Sequence, residues 1–375
     1  MIWWFQLVLI GLGLTLLTFR KFFHAPTILL HLSRSHPRLL ALLMGLGVFA
    51  LGILLAEGTF YALNRYQSRS VGGEESTSGR LFEYDEALGS KHLPNVQVSV
   101  RNKVHGKLVY DVKYSTDAYG RRITPVEHPE LRTNFLLFMG CSFTFGQGVN
   151  DHETLPFYVA RLAPTYNPYN YGVMGYGPQS ILEKLQSQEI ASEIKERQGA
   201  LIYTFIDHHI DRVVGSRQVV NSWGAHMPFY KLDAQDQLVR IGDFTSGRPL
   251  TALFYRALGA SQIATYWNLW MRTPITEADI HLTVRLIEEA RNVFRKTFHS
   301  ERFYVLLYPG SQYAQQMIPA FEHAGINYLN YTDLFDPVQP GLHLEGDLHP
   351  TPHAYYTAAK QLVRDLGLMD LQGER

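Results

Sequence analysis

Cysteine is almost absent from the chain, and neither sign of charge is in excess. The only cysteine is Cys141, which excludes an intramolecular disulfide and a zinc site made of several cysteines. Lysine plus arginine and aspartate plus glutamate number 34 each. This balance gives no electrostatic reason to expect a nucleic-acid partner. With 375 residues, 46% of them hydrophobic, the chain is long enough for one sizeable domain and further segments.

Charge is also scarce in the first 64 residues, where two long apolar runs lie. Residues 2–19 carry no charge and residues 39–63 carry only Glu57, and both runs are long enough for a bilayer-spanning helix. Basic residues separate the runs, which places that short loop in the cytoplasm by the positive-inside tendency. A cleaved signal peptide is the alternative for the first run, but it lacks a basic start and an A-x-A-like site. We therefore expect a two-helix transmembrane hairpin over residues 1–64, the lipid bilayer as a partner, and an extracytoplasmic or periplasmic remainder.

The pattern of the remaining chain predicts an α/β domain over residues 81–375. Polar, glycine- and serine-rich residues 65–80 predict a linker, and alternating apolar residues over 96–114 predict a β-hairpin. From residue 134, apolar strands alternate with amphipathic helices, which is typical of a mostly parallel sheet. An insertion or lid is expected at 215–280, where that alternation stops. The predicted strands are 135–139, 201–206 and 303–308, and the predicted helices are 154–163, 179–192, 283–298 and 352–366.

A serine and an Asp/His pair have the residue types and positions needed for nucleophilic catalysis. Ser142 follows the first predicted strand, and loops at the carboxyl ends of parallel strands are where α/β proteins bind ligands. Asp347 and His349 lie two residues apart before the last helix, so an extended chain points both side chains the same way. A serine becomes a nucleophile when an imidazole accepts its proton and a carboxylate orients that imidazole. The alternatives are an ordinary loop serine, a capping aspartate and a solvent-facing histidine.

A glycine-rich turn, NYGVMGYG at residues 170–177, can present backbone N–H groups to an oxyanion. A phosphate-binding loop is the rival interpretation, but the Gly-Lys-Ser/Thr ending is missing, and a plain tight turn also stays open. The residues near His208 and His209, with Asp347 and His349, suggest a metal site as well. Adjacent histidines on an extended strand point to opposite faces. We therefore expect no metal and no cofactor.

Taken together, the three segments resemble the sequence blocks of the SGNH/GDSL hydrolase superfamily. GCSFTFG resembles the first block, NYGVMGYG the second and DLHPTPHAYY the last, in the same order. The resemblance covers roughly residues 80–370 and is closest to the membrane-tethered bacterial branch. It implies a flavodoxin-like three-layer α/β fold with a mostly parallel sheet, preceded by two transmembrane helices and a β-hairpin segment. It also implies that Ser142 is the nucleophile, His349 the base and Asp347 its orienter, with the N–H groups of Ser142 and Gly175 in the oxyanion hole.

The sequence departs from the family pattern in its first, third and last blocks. Gly-Cys-Ser replaces Gly-Asp-Ser, which makes Cys141 a remote alternative nucleophile. The asparagine that usually donates to the oxyanion in the third block is missing, and we expect His209 to replace it, with His208 as the alternative. The spacing of two between Asp347 and His349 resembles that of polysaccharide acetyltransferase relatives.

These features predict a membrane-anchored serine esterase or deacylase acting on an ester-bearing extracytoplasmic carbohydrate or lipid. An O-acyltransferase of cell-surface or exported polysaccharide is the alternative, because the acceptor site would lie in the insertion, which has no motif. A catalytically silent envelope scaffold is a second alternative, favoured if the third-block change abolishes the oxyanion hole. Trp223, Trp267 and Trp270 lie in the insertion and could line a sugar or acyl site or pack a lid.

Overall fold

The chain divides into two compact units between Arg65 and Tyr66 in a computed structural model, which describes residues 35–71, 73–187, 189–267 and 274–368. Helix α1 spans Pro37–Val71, and its part from Pro37 to Tyr66 is long and apolar enough to cross a membrane. The other predicted transmembrane segment, residues 2–19, lies outside the described residues. The two-helix hairpin therefore stays a prediction.

Two small antiparallel sheets precede the main sheet of the second unit. Their strands are β1 (Gly73–Thr77), β2 (Phe82–Asp85), β3 (Gly89–His92), β4 (Gln97–Val104) and β5 (Lys107–Ser115). Strands β4 and β5 form a hairpin within the range predicted for one, β1 pairs with the other edge of β4, and β2 pairs with β3. The predicted linker, residues 65–80, thus contains the end of α1 and strand β1. Its polar sequence can form an edge strand because the backbone bonds to β4 need no apolar face.

The rest of the unit alternates strands and helices, as the sequence predicts. The elements, in chain order, are β6 (Asn134–Met139), α2 (Ser142–Phe145), α3 (Leu155–Leu162), β7 (Tyr166–Asn170), α4 (Pro178–Gln186), α5 (Glu189–Ser192), β8 (Gln198–Phe205), α6 (His208–Val214), α7 (Arg217–Ser222), β9 (Pro228–Leu232), β10 (Leu238–Asp243), α8 (Pro249–Ala260), α9 (Gln262–Tyr266), α10 (Glu277–Phe298), β11 (Phe303–Leu307), α11 (Ala314–Ala324), β12 (Asn327–Asn330), β13 (His343–Leu344), β14 (Asp347–Pro350) and α12 (Pro352–Asp365).

The main sheet has five parallel strands in the order β12-β11-β8-β6-β7. When these strands are numbered along the chain, the order is 2-1-3-4-5, which is the flavodoxin-like arrangement. The predicted α/β class and mostly parallel sheet are therefore confirmed. The strand order reverses beside β6, so a crevice is expected at the carboxyl end of that strand.

Helices cover both faces of the sheet because its strands are apolar on both sides. In β6, Leu136 and Phe138 pack into one hydrophobic cluster while Phe135, Leu137 and Met139 pack into the other. Helices α3 and α12 contribute to the first cluster, and α4 and α10 contribute to the second. This makes three layers, with the carboxyl ends of the strands left for a site.

Several elements differ from the predicted ones for physical reasons. The apolar pattern of the sequence does not indicate strands β7 and β12, because both lie at sheet edges and have polar sequences. Strand β7 also contains Pro168, which an edge strand tolerates. The helix predicted at 179–192 is divided into α4 and α5. Within the predicted insertion, β9 and β10 pair as an antiparallel hairpin.

Candidate active site

Ser142 lies at the junction of β6 and α2, at the carboxyl edge of the sheet beside the reversal in strand order. The turn requires glycine at position 140, where φ is 151° and an added Cβ would lie 2.3 Å from Oγ1 of Thr144. This turn leaves Ser142 6% exposed while its neighbour Cys141 is fully buried. Ser142 lines the cavity at this edge and Cys141 does not, which disfavours Cys141 as the nucleophile.

The structure brings Ser142, His349 and Asp347 into one chain of hydrogen bonds. Nε2 of His349 lies 2.8 Å from Oγ of Ser142. On the other side of the ring, Nδ1 of His349 bonds to Oδ1 of Asp347, and the backbone N–H of His349 donates to the same oxygen at 3.3 Å. With its proton on Nδ1, the imidazole keeps Nε2 free to accept the serine proton. This geometry matches the relay expected of an activated serine.

Asp347 and His349 lie on strand β14, which pairs with β13. Their segment is therefore extended, and side chains two residues apart lie on the same side, as the sequence predicts. Burial of the Asp347 carboxyl opposes its ionisation, but its bonds to the ring and backbone N–H of His349 outweigh that effect and lower its pKa below the usual value. Asp347 is thus held as a carboxylate, the form that stabilises a protonated imidazole.

Two backbone N–H groups at the site have no acceptor. Among the described residues, neither the N–H of Ser142 nor that of Gly175 makes a hydrogen bond, and both residues line the cavity. Gly175 has φ +90°, and an added Cβ would lie 2.7 Å from the indole ring of Trp223, whose Nε1 donates to the Gly175 carbonyl at 3.4 Å. Glycine is required there, and unpaired N–H groups are what an oxyanion needs.

His209 does not lie at the site, in contrast to the expectation from the sequence. The chain enters α6 at His208 instead of continuing as a strand, so His209 turns inward, fully buried. Its Nδ1 lies 2.6 Å from the Tyr203 hydroxyl, and burial lowers its pKa well below the usual value. His209 is therefore removed from the candidate oxyanion donors. His208, the alternative, lines the cavity and lies 3.4 Å from Asp211.

The cavity above Ser142 has a volume of about 970 Å³. Besides the triad and Gly175, its wall includes Arg212 from α6 and Trp223 from the predicted insertion. Trp267 is exposed and lies outside the cavity wall, and Trp270 lies outside the described residues. Within the described ranges there is no group of three His, Cys, Asp or Glu residues that could hold a metal ion.

Comparison with known proteins gives structural likenesses only. No family model matches the chain, and no curated protein matches it. Similar solved structures include a member of the lipolytic G-D-S-L family from Veillonella parvula, with 10% identity, 62% of this chain and 97% of that chain covered, and a TM-score of 0.36. Another is an acetyl xylan esterase from the rumen bacterium Butyrivibrio proteoclasticus, with 14% identity, 74% and 73% covered, and a TM-score of 0.38. The first belongs to the family that the sequence blocks resemble.

Arg122 holds the backbone that follows Ser142 in place. No local pattern in the sequence indicates this role. Its side chain is fully buried and pairs with Asp151 at 3.0 Å. The guanidinium also donates to the carbonyls of Phe145 at 2.8 Å and Val149 at 2.6 Å. These bonds fix the last residue of α2 and the loop that follows it, and with them the position of Ser142 at the start of α2.

Proposed function

We propose that this chain is a serine esterase of the SGNH type, in which Ser142, His349 and Asp347 cleave an ester bond. The observation that carries the proposal is the continuous relay at the sheet edge, with Nε2 of His349 2.8 Å from Oγ of Ser142 and Asp347 on the opposite ring nitrogen. An Asp-His-Ser chain in this order, with all three residues lining one cavity, has the geometry that a serine nucleophile requires.

The reaction follows from which atoms can hold charge and protons. Oγ of Ser142 attacks the ester carbonyl while Nε2 of His349 takes its proton and then gives it to the departing alcohol. The N–H groups of Ser142 and Gly175 hold the oxyanion of the tetrahedral intermediate. Water, deprotonated by Nε2 of His349, then attacks the acyl-enzyme, and His349 returns that proton to Oγ of Ser142 as the acid leaves. Asp347 keeps the ring oriented in both steps.

The esterase unit, residues 81–375, is proposed to work outside the cytoplasm, held at the bilayer by α1 and the predicted helix over 2–19. An apolar helix of spanning length, Pro37–Tyr66, precedes the second compact unit, which begins at Tyr66, and this supports a membrane anchor. The proposed substrates are ester-bearing carbohydrates or lipids of that compartment. The large cavity, with Trp223 in its wall, suits a ring or an acyl chain.

Acyl transfer is the second candidate, because the same acyl-enzyme can give its acyl group to a sugar hydroxyl instead of water. The room in a cavity of about 970 Å³ and the spacing of two between Asp347 and His349 favour it. A silent scaffold is the remaining alternative, in which the relay would never activate Ser142.

The test uses the full-length protein in detergent, a fluorophosphonate probe and p-nitrophenyl acetate. We expect Ser142 to be labelled, and labelling and turnover to be lost in Ser142→Ala. The matched control is Ser192→Ala, a surface serine that bonds only within its own turn, which should keep both. A folded wild-type protein that is not labelled would favour the scaffold. Acylated sugar formed at the expense of free acetate would favour the transferase.

A further inference from the structure

Arg212, in the wall of the cavity, carries a charge that no carboxylate neutralises. It is 7% exposed, and its Nη1 donates to the backbone carbonyl of Tyr176 at 2.7 Å. Its Nε is buried without a partner. Across the described part of the chain, Nη2 makes no hydrogen bond and Arg212 forms no ion pair. Unlike Nε, Nη2 is not one of the atoms that are both inaccessible to solvent and unpartnered. Nη2 of this largely desolvated guanidinium therefore remains available as a donor, and Arg212 is one of the residues that line the cavity.

The position of Arg212 is fixed by its surroundings. Its own carbonyl accepts from Nε2 of Gln179 at 2.7 Å, which ties α6 to the first turn of α4. The Tyr176 carbonyl that holds Nη1 belongs to a buried residue whose hydroxyl donates to Ser90 at 2.7 Å. The guanidinium is thus held in place at the wall, unlike a surface arginine that is free to turn into solvent.

The acidic groups lining the cavity are already engaged elsewhere. Asp207 accepts from the Ser311 hydroxyl and from the backbone N–H of Gln312 at 2.8 Å, and Asp347 is bonded to His349. Burial, followed by the positive charge of Arg212, holds the pKa of His209 well below its usual value, so this neighbouring ring stays neutral. The positive charge of Arg212 is therefore left for a ligand.

An unpaired buried charge is costly, and such a group in an active-site cavity is typical of ligand recognition. A guanidinium binds carboxylate and phosphate through charge-assisted hydrogen bonds. We propose that Arg212 binds an anionic group of the substrate, a carboxylate or a phosphate, while Ser142 attacks the ester of the same molecule. The proposal rests on the esterase function above and narrows its substrates to negatively charged esters.

The test uses the full-length protein and compares charged esters with neutral esters of the same shape, in which a carboxamide replaces the carboxylate. The pairs are 4-acetoxybenzoate against 4-acetoxybenzamide, which place the charge on the alcohol half, and monophenyl succinate against phenyl succinamate, which place it on the acyl half. A third arm uses 4-acetoxyphenyl phosphate to separate phosphate from carboxylate. We expect wild-type kcat/KM to favour at least one charged ester by about 10- to 100-fold over its neutral counterpart.

Arg212→Gln should remove that preference, and Arg212→Lys should restore part of it because a charge returns without the guanidinium geometry. The matched control is Arg101→Gln, which breaks a surface pair with Asp111 and should leave the preference unchanged. A wild-type enzyme that prefers no charged ester would overturn the proposal. Equal losses on charged and neutral esters in Arg212→Gln would also overturn it, since they would assign Arg212 to the oxyanion or to the fold.

Binding to the Ser142→Ala protein separates this proposal from the esterase function itself. Calorimetry should detect binding of 4-hydroxybenzoate, succinate and phenyl phosphate. The uncharged amide counterparts of the carboxylates should not bind, and Arg212→Gln should abolish binding of the anions. If wild-type protein cleaves no ester but this binding is present, the esterase proposal fails and the anion site stands. If Arg212→Gln does not fold, the preference of Ser142→Ala for anions over amides decides alone, and its absence refutes the site.

Discussion

Replacement of Asp347 by asparagine separates two roles of this carboxylate, holding the tautomer of His349 and stabilising its charge. The ring Nδ1 and the backbone N–H of His349 both bond to the same oxygen, Oδ1. An asparagine can keep its carbonyl oxygen at that point and leave the amide nitrogen pointing away. The imidazole then keeps its proton on Nδ1, and Nε2 still faces Ser142 at hydrogen-bond distance.

The expected loss is therefore that of charge alone. A carboxylate and an imidazolium about 4 Å apart attract by about 4 kcal/mol at an effective dielectric constant of about 20, which corresponds to roughly a 10³-fold change in rate. Asp347→Ala removes the orienting bonds as well, so kcat should fall further, by about 10⁴-fold. KM should change little in both variants, because the carboxylate is engaged with His349.

The assay is p-nitrophenyl acetate turnover by the purified variants, with Asp236→Asn as the matched control. Asp236 bonds to Nε2 of His281 at 2.7 Å on the surface, where both side chains are about half exposed. The same chemical change to another Asp-His pair should leave kcat within about twofold of wild type. A kcat of Asp347→Asn within about threefold of wild type would refute the charge argument. A loss as large as that of Asp347→Ala would show that asparagine reverses the tautomer.

Three further predictions concern stability, the oxyanion site and pH. Arg122→Ala should lower the free energy of unfolding, measured with urea, by about 3–5 kcal/mol because it leaves a part-buried carboxylate and several carbonyls without their donor. Arg101→Ala removes an exposed ion pair and should cost less than about 1 kcal/mol, so equal losses of stability in the two variants would contradict the prediction. Gly175→Ala keeps the N–H but places a Cβ 2.7 Å from the Trp223 ring, so the turn must shift and kcat should fall by about 10²-fold. Gly106→Ala, which has a similar positive φ but open space around it, should leave kcat unchanged, and a normal rate in Gly175→Ala would contradict the need for glycine at that turn. The pKa of Asp347 is lower in the folded protein than in the unfolded chain. Its bonds therefore stabilise the fold above the unfolded carboxyl pKa of about 3.9, and this stabilisation is lost as pH falls through the lower folded-state pKa. The urea midpoints of wild type and Asp347→Asn should converge below about pH 4, and a difference between them that grows there would contradict this argument.

The triad could be predicted from the sequence because its signals are local. Ser142 directly follows an apolar strand, and Asp347 and His349 share one side of any extended chain. What the sequence does not contain is the distance between these segments, which are 207 positions apart at the closest contact. The fold brings the two segments together, since β6 is an inner strand between β8 and β7 and the β14 segment reaches its carboxyl end.

His209 and Arg212 show why the rest of the site could not be predicted. His209 is predicted as the donor because the third block lacks its asparagine, but α6 begins at His208 and turns the ring of His209 into the core. The role proposed for Arg212 depends on the burial of its side chain and on the lack of a carboxylate partner among the described residues, and neighbouring positions in the sequence reveal neither. Strands β7 and β12 also cannot be predicted from the sequence, because an edge strand needs no apolar pattern.

The sheet order explains how such distant residues meet in one cavity. Ser142 follows β6, Gly175 follows β7 and Arg212 follows β8, and β6 lies between the other two strands. Their loops therefore converge at one edge, and the proposed nucleophile, the proposed oxyanion donor and the proposed anion-binding arginine each follow a different strand. Trp223 comes from the insertion instead and contacts Gly175. Changes in the insertion can thus alter the cavity wall at Trp223 while the hydrogen-bond relay from Asp347 through His349 to Ser142 stays intact.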